Sequence, residues 1–409
     1  MKLVVVGNGM GSVRMLEHLA EGHHQHDIVV LSEESSPGYN RILLSKLLAG
    51  SIDRESIELK ARHWYQEHGI RLLSNKCHKV TGIDRTLKQV KTVDGEFYPY
   101  DKLILATGSR PVSIPVGGAN LQGVMFFRQS GDVDLMLESA RKENAKAVVI
   151  GGGLLGLECA SGLVKRGMSV TVVDTNPTLL GRQLDGTAGE MLRSELETRG
   201  IAFRCGARLQ QYLGNQKGWV QQVEIINDQS QQEYLDASLV VVAAGVRPEG
   251  SLMQSAGLEC DRGVMVNENM QTSDPDIFAF GECVQLRDSL FGLVAPVYEQ
   301  AQVVSEQLLG RGSKGFVPVP IPTRLKVDGI DLFSCGEFIA GEGDEELLVD
   351  ARQYGVYRKI VIHNNRIKGV LLYGDVSGGQ WYQNLMLQSD DISSFRQQLI
   401  FGQHFLPAA

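Results

Sequence analysis

The sequence predicts an α/β protein built on two doubly wound parallel sheets, with a small α+β domain at its C-terminal end. Three observations carry this. An apolar run opening into a glycine-rich turn occurs twice, at Leu3–Gly11 and Ala147–Gly156, each time followed by a helical stretch and a second apolar run, the order that builds βαβ units. Two further apolar runs, Leu103–Gly108 and Leu239–Gly245, end in small residues, as buried strands do where they lead into a tight turn beside a ligand. At 409 residues the chain also exceeds the roughly 250–300 residues at which a single core stops growing, so two or three domains are expected.

Taken in order, the first unit reads as strand Val4–Val6, a helix from about Ser12 to Ala20 and strand Ile28–Leu31. The second reads as strand Ala147–Ile150, helix Leu154–Arg166 and strand Val170–Val173. Pro111, Pro115 and the Gly117-Gly118 pair mark a linker before it. Beyond Gly312 the Pro318–Pro322 stretch reads as an extended connector. Thr323 to Asp375 then alternates in strand fashion, with Tyr357–His363 and Ile367–Tyr373 flanking an Asn364-Asn365 turn. Polar helical stretches close the chain. The expected division is 1–113 and 237–312 as two segments of one dinucleotide-binding domain, 114–236 as a second, and 313–409 as a C-terminal α+β domain that forms an interface.

Apolar residues at 43% and charged residues at 22% describe an ordinary globular protein. A formal charge of −8 with no basic stripe makes nucleic acid an unexpected partner. The chain runs from Met1 straight into a strand and a glycine turn, with no leader pattern, and no apolar run approaches the ~20 residues a membrane span needs; a cytoplasmic protein off the membrane is expected. Six cysteines (Cys77, Cys159, Cys205, Cys260, Cys283, Cys335) are widely spaced and read as small core residues rather than a redox pair or cluster ligands. No metal site is expected: His23, His24 and His26 read as a solvated connection before a strand in preference to a ligand set.

The first turn, Gly7–Ser12, lets a pyrophosphate approach the backbone at Gly7, Gly9 and Gly11 and rest on the start of the following helix. Ser12 stands where the third glycine of GxGxxG would be, a position that needs only a small side chain. Glu33 or Glu34, after the next strand, suits ribose hydroxyls; a purely structural glycine turn is the alternative. The second turn has all three glycines, Gly151, Gly153 and Gly156, with Leu154 and Leu155 between them. Asp174 ends its strand, and that carboxylate would accept from a 2′-hydroxyl but repel a 2′-phosphate, favouring NADH over NADPH. It can also be read as merely capping the strand end. Two such units in one chain suggest one fixed and one exchangeable dinucleotide.

With ATGSRP at Ala106–Pro111, AAGVRP at Ala243–Pro248 and IFAFGEC at Ile277–Cys283, the paired turns resemble the FAD-dependent pyridine nucleotide oxidoreductases over roughly residues 1–312. The resemblance implies two Rossmann-like domains, FAD on the first and NAD(P)H on the second. It places Ala106, Thr107, Gly108, Arg110, Gly245 and Gly281 at cofactor-binding positions, and makes Glu282 an acceptor for the ribityl or pyrophosphate region. YNRILLSK at Tyr39–Lys46 is similar to the segment that ferredoxin, rubredoxin and nitrite reductase flavoprotein domains place beside the flavin. Arg41 and Lys46 would then bring positive charge to its phosphate or ring, with Lys46 also in a catalytic role; simple solvation is the alternative. No cysteine precedes Cys77, which disfavours thiol-based reduction of disulfides or peroxide. Glu158 matches a family carboxylate near nicotinamide and flavin, or is a surface-helix glutamate. Pro296, with Val297 and Tyr298, would start a helix whose free N–H groups face the flavin pyrimidine edge.

Gly181–Leu192, Gly292–Ala301, Thr323–Glu337 and Leu372–Asp375 narrow the resemblance to the flavin-containing N-terminal half of assimilatory NAD(P)H nitrite reductases and to the electron-transfer subunit of assimilatory nitrate reductase, over nearly all 409 residues. This implies electron transfer from NADH through FAD to a redox protein, a nitrate or nitrite reductase component, with rubredoxin or ferredoxin as the alternative acceptor. Nitrite reductases continue into cysteine-rich cluster and sirohaem-binding regions, whereas this chain stops at Ala409 without those ligands, so it is not expected to reduce nitrite itself. A homodimer is compatible with the sequence, and Trp381 and Tyr382 could serve the acceptor surface, a dimer contact or the third-domain core. A flavoprotein that only senses or binds is the reading from another class; the intact second turn argues against it.

Overall fold

The computed structural model describes residues 1–319, 322–324 and 329–405. The first domain is a parallel sheet in the order Ile277–Ala279, Lys102–Leu105, Lys2–Val6, Asp27–Ser32, Ile70–Ser74. Leu3, Val5, Ile28, Val30, Leu103 and Ile104 are wholly buried, as expected of strands covered on both faces. Helix Met10–Glu21 begins two residues earlier than the pattern suggested, because Gly9, extended at φ −80° and ψ −175°, takes the N-cap position.

The second domain repeats the design, in the order Ile201–Cys205, Ser169–Asp174, Lys146–Ile150, Leu239–Val242, Val124–Phe126. The boundary between the first and second domains differs from the expected one. Leu239–Val242, assigned to the returning first domain with residues 237–312, pairs in parallel with Lys146–Ile150. All four of its residues are buried, and this slot beside the central strand covers both faces, as the matching slot does for Lys102–Leu105. The chain crosses back only at Val246–Pro248, which pairs antiparallel with the outgoing Ser109–Pro111.

The C-terminal domain is an antiparallel sheet ordered Thr323–Arg324, Leu332–Gly336, Arg366–Tyr373, Val356–His363, Glu345–Ala351. Asn364 and Asn365, at φ +49° and +56°, make the two-residue left-handed turn that suits hairpin twist. Pro320 and Ile321 of the expected connector, and Leu325–Asp328 of the Thr323–Glu337 motif, lie outside the described residues. Helix Gly379–Gln388 follows the sheet. Its Tyr382 is fully buried and donates to the Leu399 carbonyl at 2.7 Å, while Trp381 packs on Tyr382 and Phe395. Trp381 and Tyr382 therefore belong to the third-domain core.

Among the described residues, apolar side chains join the domains along two seams. At one, helix Gly186–Thr198 of the second domain meets the C-terminal sheet: Tyr357 donates to Asp185, the N-cap of that helix, at 2.6 Å, and Tyr373 donates to Glu195 at 2.6 Å. Leu332, Phe338 and Leu371 share a core with Leu180, Leu184 and Leu192. At the other, Tyr39, Leu44, Leu47, Leu48 and Ile57, which precede the linker in the chain, are buried with Phe127, Val133, Met136 and Leu163 of the second domain. Gly162 permits that approach, since a Cβ there would stand 3.0 Å from Leu48. Arg166 donates to the carbonyls of Leu48 at 2.6 Å and Leu47 at 3.3 Å, closing the C-terminus of helix Leu44–Ala49 with the sign of charge that end prefers. Among the described residues, no helix is long and apolar enough to cross a membrane.

Candidate functional site

The first glycine turn is shaped by three different demands. Gly7 has φ +103°, and a Cβ on it would lie 2.3 Å from the Ala106 carbonyl oxygen, so only glycine lets the turn lie against the end of the neighbouring strand. Gly9 is the opposite case: a Cβ there would meet nothing within 4 Å. As an N-cap without a side-chain hydrogen bond, it leaves the first helical N–H groups available to an anion. Gly11 is needed for packing, since a Cβ would come within 2.7 Å of Val297 Cγ1 and 2.8 Å of Phe280 Cε2. Ser12 is buried, and its Oγ has no partner among the described residues.

Other elements complete this cradle. Gly281, at φ +91°, donates its N–H to Gln300 Oε1 at 2.8 Å. Pro296 is buried in the first turn of helix Val294–Leu308, whose N-cap Leu293 offers no side-chain bond. Tyr298 follows, with the Arg14 guanidinium 6.0 Å from its ring centre. Among the described residues the buried amide nitrogens of Asn8 and Gln300 have no partner. An open glycine turn ringed by unpaired donors is the chemistry that FAD would satisfy, and the residues present fit that group.

From Glu34 through Arg41 and Arg128 to Glu282, charged residues line the meeting of the first two domains. Glu33 pairs with the exposed Lys79 at 2.8 Å. Glu34 accepts from the Tyr39 hydroxyl at 2.6 Å and from Arg41 at 2.7 Å, and Arg41 also donates to the Arg128 carbonyl at 3.0 Å. Burial pushes the Tyr39 phenol well above its usual range. Glu282 accepts from Ser109 Oγ at 2.9 Å and pairs with Arg128. Sequence reasoning missed Arg128; its one trace was an arginine just past a strand, followed by a Gln129–Asp132 capping box. Thr107 donates to the Glu249 carbonyl at 3.2 Å and Gly108 has φ +70°. Arg110 stands exposed on the two-stranded link opposite Arg247, 3.7 Å from Glu249, a place in the crossover rather than in the glycine turn.

The second turn repeats the first. Gly151 has φ +118°, and its Cβ would lie 2.4 Å from the Ala243 carbonyl oxygen; Gly153 opens on space empty to 4 Å; a Cβ on Gly156 would fall 1.9 Å from the Gly151 carbonyl oxygen. Leu154 and the exposed Leu155 begin the helix. Asp174 accepts from the Gly152 N–H at 2.6 Å and from the Asn176 backbone and side chain at 2.7 and 2.8 Å, so this carboxylate is held against the turn. Gly245, at φ +99°, also has open space where a Cβ would be.

Lys46 is exposed on helix Leu44–Ala49, and Glu158 is partly buried in helix Leu154–Lys165. These helices pack through Leu48 and Gly162, so the two residues come from neighbouring elements. The cysteines divide: Cys159, Cys283 and Cys335 are buried, Cys205 and Cys260 partly so, and Cys77 is exposed, against the expectation that all six are core residues. Burial raises the Cys159 and Cys283 thiols, which keeps them poor nucleophiles. His24 and His26 stack, and the His26 ring lies 3.2 Å from the Leu308 carbonyl.

Residues 1–307 match the family model of pyridine nucleotide-disulphide oxidoreductases, and residues 321–390 that of the rubredoxin NAD+ reductase C-terminal domain. The chain is 42% identical over 393 residues to the NAD(P)H nitrite reductase of Bacillus subtilis (strain 168), covering 96% of this chain and 48% of that protein. It is 37% identical over 400 residues to the assimilatory nitrate reductase electron transfer subunit of the same organism, covering 98% and 51%. It thus spans about half the length of these relatives. Among solved structures it is similar to the covalent putidaredoxin reductase–putidaredoxin complex, with a TM-score of 0.83, 26% identity and coverage of 95% and 94%.

Proposed function

The chain belongs to the pyridine nucleotide-disulphide oxidoreductase family and is an FAD-dependent NAD(P)H oxidoreductase; from that premise we propose that it oxidises NADH and passes the electrons to a separate redox protein, as the electron-transfer component of an assimilatory nitrate or nitrite reductase system. The observation that carries this is the pair of open glycine turns in one chain, the second with Asp174 held against it.

FAD, when bound, supplies the ability to accept two electrons at once and release them singly. The first cradle would hold it: Gly7 and Gly9 at the pyrophosphate, with Gly11 seating the helix behind them against Phe280 and Val297, Glu33 or Glu34 at the ribose, Ala106–Gly108, Gly281 and Glu282 along the chain, and the helix start at Pro296–Tyr298 toward the ring. The second cradle binds the nicotinamide nucleotide on Gly151, Gly153 and Gly156, and the Asp174 charge discriminates against a 2′-phosphate. Lys46 and Glu158 set the charge where the two domains meet. The seam around Leu48 and Arg166 fixes the two cradles relative to each other, which is the positioning a transfer between rigid rings requires.

The test is anaerobic addition of NADH to the purified, FAD-loaded chain. Rapid loss of the flavin's visible absorbance is expected; persistence of that band removes the oxidoreductase assignment and favours a binding or sensing role. The match of residues 321–390 to the rubredoxin NAD+ reductase C-terminal domain supports a second reading, in which the acceptor is rubredoxin or a ferredoxin. Turnover with each purified acceptor separates it from the first.

A further inference from the structure

We propose that Tyr39 is a positioning residue for the adenosine end of FAD, acting through Glu34; this rests on the reading that the first cradle holds FAD. Glu34 lies two residues past strand Asp27–Ser32, whose Leu31 carbonyl accepts the Gly7 N–H of the first glycine turn at 2.8 Å. Each of its oxygens already has one donor, Tyr39 on Oε2 and Arg41 on Oε1. A carboxylate has about four lone-pair sites, so one remains on each oxygen for the two hydroxyls of a ribose. Glu33 lacks this arrangement: it is half exposed, and its partner is the still more exposed Lys79.

Both donors to Glu34 are themselves anchored on the second domain. The Tyr39 oxygen accepts the N–H of Ser130, the first residue of helix Ser130–Ala140, at 3.2 Å, and Arg41 donates to the Arg128 carbonyl. The Tyr39 ring is buried within the second domain's core, and the Arg41 guanidinium stands 5.5 Å from its centre. A flexible carboxylate is thereby locked before any ligand arrives, and the ordering cost of binding falls accordingly. A phenylalanine would fill the same volume, but it would leave Glu34 with a single donor and the buried Ser130 N–H without an acceptor.

The experiment strips FAD from the full chain. It then measures dissociation constants for FAD and for FMN, which lacks the adenosine half, by quenching of flavin fluorescence. Tyr39→Phe and Glu34→Gln should each weaken FAD about tenfold, the scale of one hydrogen bond to a charged group, and leave FMN unchanged. In the Glu34→Gln background, Tyr39→Phe should add about twofold or less, because the two residues act as one unit. Equal losses for FAD and FMN, full multiplication of the two effects, or unchanged FAD affinity would each overturn the assignment. Should Tyr39→Phe not fold, an unchanged FAD-to-FMN ratio in Glu34→Gln overturns it alone. A wild-type chain that takes up no FAD overturns the FAD reading as well, which separates the two failures.

Discussion

Replacing Gly153 by alanine separates nucleotide binding from folding. Its backbone, at φ −78° and ψ 176°, is open to any L-residue, and the added methyl meets no atom within 4 Å. Two small effects oppose each other in the folded chain. Alanine is a poorer N-cap than glycine, whereas removing a glycine lowers the entropy of the unfolded state, worth roughly 0.4–1 kcal/mol. The net change in stability should stay within about 1 kcal/mol, a shift of roughly 2–4 °C at most for a domain of this size. The methyl does occupy the space a pyrophosphate needs. Losing one charge-assisted hydrogen bond there costs about 1.5–3 kcal/mol, a rise of roughly ten- to a hundredfold in Kd for NADH. Stopped-flow reduction at varied NADH concentration reads that constant, and FAD content reads the first cradle, which should be untouched. Gly156→Ala is the contrast: its methyl would lie 1.9 Å from the Gly151 carbonyl oxygen, and the variant should lose thermal stability outright. If Gly153→Ala binds NADH like the parent, the second turn does not hold a pyrophosphate and the reasoning fails.

Three further outcomes are expected. Asp174→Ser should raise the kcat/KM ratio of NADPH to NADH about tenfold or more, since it removes a charge that opposes the 2′-phosphate; an unmoved ratio would mean that Asp174 only ties down Gly152 and Asn176. Arg166→Met keeps the apolar stem but deletes the donors to Leu47 and Leu48, and should lower the melting temperature by about 4–8 °C, corresponding to ~2 kcal/mol. Asp344 accepts from Gly341 N–H, Lys368 and His363, and these bonds hold its carboxyl down to about 2, against an ordinary value of 3.8. A depressed carboxylate contributes stability that is complete above its unfolded pKa and is lost as pH falls toward the folded one. Urea midpoints should therefore fall between about pH 4 and 2, with a shallower slope in Asp344→Asn; equal slopes would show that another group dominates.

Much of the fold was readable because both glycine turns combine a positive φ with an open neighbour, a pairing that leaves a fixed trace in residue type. Gly7 and Gly151 press on Ala106 and Ala243, while Gly9 and Gly153 face empty space. Helix ends and strands came within a residue or two for the same reason: the apolar runs are wholly buried. Leu239–Val242 was assigned to the wrong domain because four apolar residues in a row state that both faces are covered but not by which sheet. Arg128 left no pattern, since its importance comes from meeting Glu282 across 154 positions of chain. Gly11, read as part of the pyrophosphate turn, proved to be required for contact with Phe280 and Val297, a demand set by a helix almost three hundred residues away. The stretches around Asp185 and Tyr373, distinctive as sequence, turned out to join the second domain to the third.

The burial of Tyr39, Leu44, Leu47, Leu48 and Ile57 inside the second domain bears on what can be cut out of this chain and transplanted. At roughly 1.5–3 kcal/mol per apolar side chain, these five together are comparable to the entire net stability of an ordinary domain, about 5–15 kcal/mol. A fragment cut at the two crossovers would carry a raw hydrophobic scar where they had been and should aggregate. A chimaera that exchanges nucleotide specificity by grafting another second domain would have to bring residues 39–57 of the donor as well, although they lie on the far side of the linker.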